Sequence, residues 1–236
     1  MLFFFTVAYF PDHNILKNAA NAVLAGFKVY IYNNGLSHNI HRELSSMPLT
    51  LLGTGSNDGL GVAFAEFEVN YLTEDDFYFY LDQDSSLGLN DWFLLASRCK
   101  ASFYQKNVGM LHISKCIPRS SILTSSGSVY SGFIIRYYVR HDPTFFVEGV
   151  DYDYCYRLFR HKLSVLSIPL ESFDHTTLQD GIKICFLGLS FWARNYSLRR
   201  VVDFNYSHAR LIIRCLLSRN LVYSCLLYTS PSPRDA

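Results

Sequence analysis

An apolar run ends in two carboxylates one residue apart: Tyr78-Phe79-Tyr80-Leu81-Asp82-Gln83-Asp84-Ser85. A buried strand here delivers Asp82 and Asp84 at its C-terminal end, the edge where open α/β sheets bind ligands. Carboxylate oxygens are hard ligands. A divalent cation bridging a diphosphate takes few of them, and water or phosphate completes its shell. Asp and Ser are also ordinary turn residues, so these four residues alone are a weak signal and read first as a polar turn after a strand. A second acidic group opens the segment Val150-Asp151-Tyr152-Asp153-Tyr154-Cys155-Tyr156-Arg157. Read as a helix, it carries its acids in the first turn, where the macrodipole favours them. The same reading sets Asp153 and Arg157 four apart on one face as an ion pair.

The neighbouring chain supplies elements to position these groups. Residues 2–9 form a continuous apolar run, consistent with a buried strand of a parallel sheet. Pro11-Asp12 opens a helix in which Leu16, Ala19, Ala20, Val23 and Leu24 recur at helical spacing, with Gly26 as its stop. Phe27 to Tyr32 reads as a second strand, followed by the turn signal Asn33-Asn34-Gly35. Residues 49–52 give a short third strand, Gly53 to Gly61 a Gly- and Asn-rich loop, Val62 to Leu72 a helix, and Phe77 to Leu81 a fourth strand. Asn90 is placed to cap a helix through Tyr104. Val108 to Ile113 reads as a strand, and 114–128 as loop around a short strand at Ile122-Leu123. Residues 145–150 are a short apolar segment, 151–161 a helix, 163–168 a strand, and Phe191 to Asn220 a basic, amphipathic helical tail. The alternation predicts an α/β chain with a doubly wound, mostly parallel central sheet flanked by helices.

Half of the 236 residues are apolar, ample for one large domain or a domain with a tail, and 17 Tyr and 19 Phe make the chain rich in aromatics. A net charge of +1 implies no global attraction to nucleic acid or to acidic partners. The six Cys (99, 116, 155, 185, 215 and 225) include no Cys-x-x-Cys pair, which fits reduced cytoplasmic thiols better than a zinc knuckle or a disulfide framework. The apolar N-terminus lacks a basic n-region and reads as the first strand. No run approaches the roughly 20 apolar residues that span a bilayer. No Gly-x-Gly-x-x-Gly follows the first strand, which argues against a dinucleotide-dependent oxidoreductase.

In order and spacing, the chain resembles the rhamnosyltransferase-like branch of the family-2 glycosyltransferases, which have the GT-A fold. The residues carrying the resemblance are Val7-Ala8-Tyr9-Phe10-Pro11, Tyr32-Asn33-Asn34-Gly35, the stretch from Asn57 to Ala63, Leu81-Asp82-Gln83-Asp84-Ser85, Ser126-Gly127-Ser128, the stretch from Phe146 to Arg157, His175 and Arg194-Asn195. It implies a GT-A-type, Rossmann-like domain over 1–180 and a helical C-terminal extension over 181–224. It also implies an inverting transfer of a sugar, rhamnose by this branch, from a nucleotide-diphosphate-sugar donor to a glycan or lipid-linked saccharide acceptor, with Mn²⁺ or Mg²⁺ as cofactor.

Residue by residue, the resemblance assigns donor binding to Tyr9, Pro11, Asn33, Asn34, Asn57, Gly59, Gly61, Asp82 and Gln83. It assigns the metal to Asp82, Asp84 and His175, with Asp84 the direct ligand and Asp82 nearer the ribose. Asp151 becomes the general base that takes the acceptor hydroxyl's proton, and Val150 and Tyr152 partly desolvate it and raise its pKa. Glu148 is the competing base, and Asp153 and Arg157 support the site. Helix N-capping and first-turn charge remain the alternative role for Asp151, as a plain turn does for Asn33. Three positions depart from the family pattern: Asn33 stands where the family has Asp, and Ala65 and Phe67 where it often has Asn and Gly. These motivate the alternative of a catalytically degenerate nucleotide-sugar-binding domain.

The resemblance implies a cytoplasmic protein. Its basic tail admits two readings, peripheral contact with the inner face of the membrane or packing against the domain. Cys225 to Ala236 resembles a translated sequencing adaptor and breaks the composition before it. Residues 225–236 are therefore read as non-native, with the natural chain cut short near Ser224.

Overall fold

Successive residues of the first strand, β1 (Leu2–Ala8), feed two different cores. Phe3, Phe5 and Val7 point to one face of a sheet and Phe4 and Ala8 to the other, and all five are buried. A strand covered on both faces must be apolar throughout rather than alternating, which is why residues 2–9 are legible as one run. The computed structural model describes residues 1–103, 107–114, 124–175, 181–186, 189–194 and 198–218.

The elements that follow are α1 (Asn14–Leu24), β2 (Lys28–Asn33), α2 (His38–Ser45), β3 (Thr50–Leu52), α3 (Leu60–Tyr71), β4 (Phe77–Tyr80), β5 (Ser85–Ser86), α4 (Leu89–Phe103) and β6 (Val108–Ser114). Then come β7 (Ser128–Ser131), α5 (Gly132–Tyr137), α6 (Val150–Arg160), β8 (Ser164–Pro169), β9 (Asp174–His175), β10 (Gly181–Phe186), β11 (Leu189–Arg194) and α7 (Leu198–Leu217). Seven strands make one sheet in the order β3-β2-β1-β4-β7-β6-β8. All pairs are parallel except the two that β7 makes, so six strands point one way and β7 runs against them.

Helices α1, α2 and α4 cover one face through Ile15, Ala19, Ala22, Ile40, Leu44, Trp92 and Leu95. Helices α3, α5, α6 and α7 cover the other through Phe64, Phe67, Ile134, Tyr154, Leu158, Leu211 and Cys215. That second face is built largely of rings: Phe5 and Phe67 stack at 4.3 Å and 6°. The same core holds a buried ionisable pair. Glu68 Oε1 lies 2.5 Å from His141 Nδ1 and accepts from the Tyr78 hydroxyl at 2.7 Å, and Glu68 Oε2 accepts the His141 backbone N–H at 3.0 Å. These bonds offset the burial of Glu68 and of one His141 ring nitrogen, while His141 Nε2 is buried without a hydrogen-bond partner among the described residues.

Gly26 ends α1 as the spacing predicts. At φ 85° it donates to Val23, and Phe27 donates to Ala22, the two bonds of a left-handed C-terminal cap. Other parts differ from expectation. Helix α2 was not anticipated: it is short and polar, capped by Ser37, and buries only Ile40 and Leu44. Strand β7 and helix α5 were also missed. Residues 181–186 and 189–194 pair antiparallel as β10 and β11, so Phe191 to Arg194 is strand and, among the described residues, the helical tail is α7. The expected strand at Ile122-Leu123, Tyr104 at the end of α4, and residues 225–236 lie outside the described residues. Among the described residues, no helix is long and apolar enough to cross a membrane.

Candidate active site

Six parallel strands place the ends of β1, β2, β3 and β4 on one edge, and the following loops carry the sequence-predicted residues. Because β7 runs the other way, its beginning reaches this same edge. That reversal brings the segment 124–127 to the end of β4: the Gly127 N–H donates to Tyr80 O at 2.9 Å, and the Asp82 N–H donates to Ser126 Oγ at 3.1 Å. Ser126 Oγ is also 2.9 Å from Ser85 Oγ.

Two acids separated by 69 residues in sequence are thereby brought near enough for the charge of Asp82 to act on Asp151. Asp82 Oδ1 accepts the Tyr80 hydroxyl at 2.7 Å. Asp151, in the first turn of α6, accepts the Ser125 hydroxyl. Burial raises the Asp151 carboxyl from an ordinary 3.8 to about 7; the Ser125 bond opposes the shift, and the negative charges of Asp82 and then Glu148 add to it. Burial, followed by the Asp82 charge, holds the Tyr80 hydroxyl well above its usual range, so it remains a donor. A carboxyl poised near 7 matches what a general base at neutral pH requires. Glu148, the competing base, is engaged by Arg200 Nε at 2.8 Å.

Helix α6 starts where it does because of the strap before it. Gly149 adopts a left-handed φ of 82°, and a Cβ there would stand 3.1 Å from both Phe145 and Ser207 side chains. Helix α7 grips that strap. Asp203 Oδ2 accepts the backbone N–H groups of Val147 and Glu148 at 3.2 and 2.9 Å, and Arg199 and Arg210 stack on Phe146 and Phe145. The expected Asp153–Arg157 pair forms, with Nε to Oδ2 at 2.8 Å, and Arg214 engages the other oxygen of buried Asp153. One face of α7 thus packs on the domain, while Leu198, Val202, Tyr206 and Leu217 on its other sides are exposed.

The donor-side residues divide into groups. Tyr9 is exposed, and Gln83 clamps its backbone at both ends: the Tyr9 N–H reaches Gln83 Oε1 at 2.6 Å and the Gln83 amide reaches Tyr9 O at 2.7 Å. This clamp fixes the β1 loop to the Asp82–Asp84 loop. Phe10, beside it, is exposed at φ 46°, a region rare for a bulky residue, while Pro11 is buried. Asn33 Oδ1 accepts the N–H groups of Gly35 and Leu36 at 3.2 and 2.8 Å, which is the turn role. Asn34 is buried, donates to Asn57 Oδ1 at 3.1 Å and accepts the Asp58 N–H at 2.8 Å. Gly59 and Gly61 do need to be glycine, but what approaches them is protein. A Cβ would lie 2.5 Å from Phe146 at Gly59 and 2.2 Å from Phe145 O at Gly61. Of the departures from the family pattern, Phe67 is a fully buried core residue.

The hard-oxygen pair Asp82 and Asp84 stands in the loop after β4. Strand β5 pairs with β9, setting Ser85 opposite His175, so the His175 backbone adjoins the residue after Asp84. The His175 side chain lies outside what the structure describes. Among the described residues, no group of three or more His, Cys, Asp or Glu is placed to hold a metal. Two carboxylates nonetheless suit Mg²⁺ or Mn²⁺, which bind through one or two carboxylates plus substrate phosphates rather than in an all-protein cage.

No family model and no curated protein matches this chain. The arrangement therefore stands on its own geometry. The residues that sequence reading missed are Ser125, Tyr80 and Tyr130, which surround the two acids. Tyr130 is fully buried and, by burial and then the Asp151 charge, held well above its ordinary pKa. No local signal marks Ser125 within a Ser-rich loop, because its partner is 26 residues away.

Proposed function

We propose that the chain is an inverting glycosyltransferase of the GT-A type, moving a sugar from a nucleotide-diphosphate donor to a glycan or lipid-linked saccharide hydroxyl. The observation that carries this reading is the convergence of the Asp82–Asp84 loop and Asp151 on the carboxyl edge of the parallel strands. Asp151 takes the proton from the acceptor hydroxyl as that oxygen forms its bond to the sugar's anomeric carbon. The bond from that carbon to the diphosphate breaks on the opposite face, inverting the centre. Asp82 and Asp84 would hold Mg²⁺ or Mn²⁺, and the metal would supply neutralisation of the leaving diphosphate's charge. Ser125 orients the base, and Asp153 with Arg157 braces the helix that carries it. Rhamnose is the donor sugar suggested by the branch that the sequence resembles.

A second reading is a nucleotide-sugar-binding domain without turnover. It is favoured by Asn33 Oδ1 being committed to its own turn and by the filled space at Gly59 and Gly61. The two readings separate when purified protein is incubated with Mn²⁺ or Mg²⁺, a donor panel and saccharide acceptors, and nucleoside diphosphate release is followed. The parent turns over, Asp151→Asn falls by about 10²- to 10⁴-fold, and Asp84→Ala loses the metal dependence. Equal rates in parent and variants refute the assigned mechanism. Donor binding by calorimetry without product for any acceptor favours the second reading.

A further inference from the structure

Away from the acids, the C-terminal half of α6 forms a cavity with the 140–142 segment and the end of α7. Its volume is about 640 Å³, within the range of small-ligand pockets. Four guanidinium groups line it: Arg140, Arg157, Arg160 and Arg214. Two are already engaged. Arg157 and Arg214 both pair with Asp153, and Arg214 also reaches Asp142 at 2.9 Å. The other two are exposed, and neither Arg140 nor Arg160 has an ion-pair partner among the described residues. Arg210, just outside the lining, shares Asp142 at 3.1 Å. Five guanidiniums thus line or adjoin the cavity, three of them paired with the carboxylates of Asp142 and Asp153. Glu68 is buried behind His141 and bound to it and to Tyr78.

Such an excess focuses positive potential in a concave wall. The C-termini of α6 and α7 contribute about half a negative charge each there, together no more than one of the two unpaired arginines. Arg recognises planar and tetrahedral oxyanions through parallel N–H donors, above all carboxylate and phosphate. The carboxylates of the protein already occupy Arg157 and Arg214 and fix their planes, while Arg140 and Arg160 remain to close on a ligand. The hydroxyls of Tyr156 and Ser218 on the wall are already committed: Ser218 Oγ donates to Arg214 O at 2.9 Å and accepts from Tyr156, so the donors offered to a ligand are those of the arginines. The site is separate from the acids: Arg157 and Arg160 are six and nine residues along α6 from Asp151, about 9 and 13 Å by helical rise.

We propose that this cavity is a phosphate-binding site whose ligand is held by Arg140 and Arg160 against the preset Arg157 and Arg214. The phosphate belongs either to a small soluble molecule or to a lipid headgroup, the second being suggested by Leu217, which lines the cavity and is 82% exposed. The proposal does not rest on the sugar-transfer reading.

The test is calorimetry of inorganic pyrophosphate in EDTA, which silences any metal-dependent binding at Asp82 and Asp84. It is paired with flotation on vesicles of phosphatidylcholine with and without phosphatidic acid. The parent and the double variant Arg140→Ala/Arg160→Ala are compared. Both side chains are exposed and make no ion pair, so the variant's thermal melt should match the parent's. Pyrophosphate binding to the parent at millimolar affinity or better, weakened at least about tenfold in the variant and by added salt, supports a soluble phosphate ligand. Flotation that needs phosphatidic acid and is lost in the variant supports the headgroup. Equal binding by parent and variant in both assays, or no binding by the parent in either, overturns the site.

Discussion

Asp151→Asn should stabilise the protein while, on the proposed sugar-transfer mechanism, slowing turnover. Folding moves this carboxyl's pKa from 3.8 to about 7. A carboxyl that holds its proton more tightly when folded adds nothing against folding below about pH 4. Between 4 and 7 the unfolded chain ionises while the folded one still binds the proton, so stability falls as the pH climbs; above 7 the full penalty applies. At 1.36 kcal/mol per pKa unit, the ceiling is about 4 kcal/mol. Asp151 keeps part of its surface in water, which reduces that figure. Asparagine is nearly isosteric and still accepts the Ser125 hydroxyl, so removing the charge should recover about 1–3 kcal/mol at pH 8. For a chain of this size that is a rise of roughly 2–12 °C in melting temperature. Melts of parent and variant from about pH 4 to pH 8 should start together and diverge as the pH rises. A difference that stays constant with pH, or a variant less stable at pH 8, would refute the claim that Asp151 is strained by its burial and by Asp82.

Two further substitutions probe the frame. Gly61→Ala places a Cβ 2.2 Å from Phe145 O, a backbone atom that cannot swing away, so it should cost about 2–4 kcal/mol in a denaturant melt; a loss below about 0.5 kcal/mol would mean the strap yields freely. Arg214→Ala leaves buried Asp153 with Arg157 alone and weakens the hold on Asp142, whose carboxyl sits near 2 because Thr144, Arg214 and Arg210 outweigh its burial. It should cost about 1–3 kcal/mol at neutral pH. The Asp142 part of that loss fades as the pH drops from about 4 to 2, since a depressed carboxylate pKa stabilises only above that window. A variant as stable as the parent at pH 7 would show that the Arg214 contacts contribute nothing net.

What could be read from the sequence follows the range of the interactions involved. The strands β1, β2 and β4 were legible because burial on both faces writes an uninterrupted apolar run, and α1 because its cap needs a glycine. Helix α2 shows only two apolar residues in eight, too few to impose a period. Strand β7 is four residues, Ser-Val-Tyr-Ser, whose extended form is imposed by β4 and β6 on either side. The β10–β11 pair took a segment whose composition reads equally well as helix, and cross-strand pairing decided it. In the candidate site, Asp82 and Asp84 were visible as the end of an apolar run, and Asp151 as a first-turn acid. Ser125 was not visible, because only the reversal of β7 carries it to Asp151. The glycines at 59 and 61 were seen as close-approach positions, but spacing did not reveal that Phe145 and Phe146 are what approach them.

The grip of α7 on the strap at 142–149 also imposes an order in time. During synthesis, β1 through β8 leave the ribosome before α7 does, so the sheet and both acid-bearing elements exist while the strap is still unheld. The Asp203 carboxylate that caps Val147 and Glu148, and the arginines that stack on Phe145 and Phe146, arrive last. A nascent chain stalled before residue 198 therefore has Asp82 in place and Asp151 without its final setting. The setting of Asp151 is thus completed by α7, which among the described helices is the last to emerge.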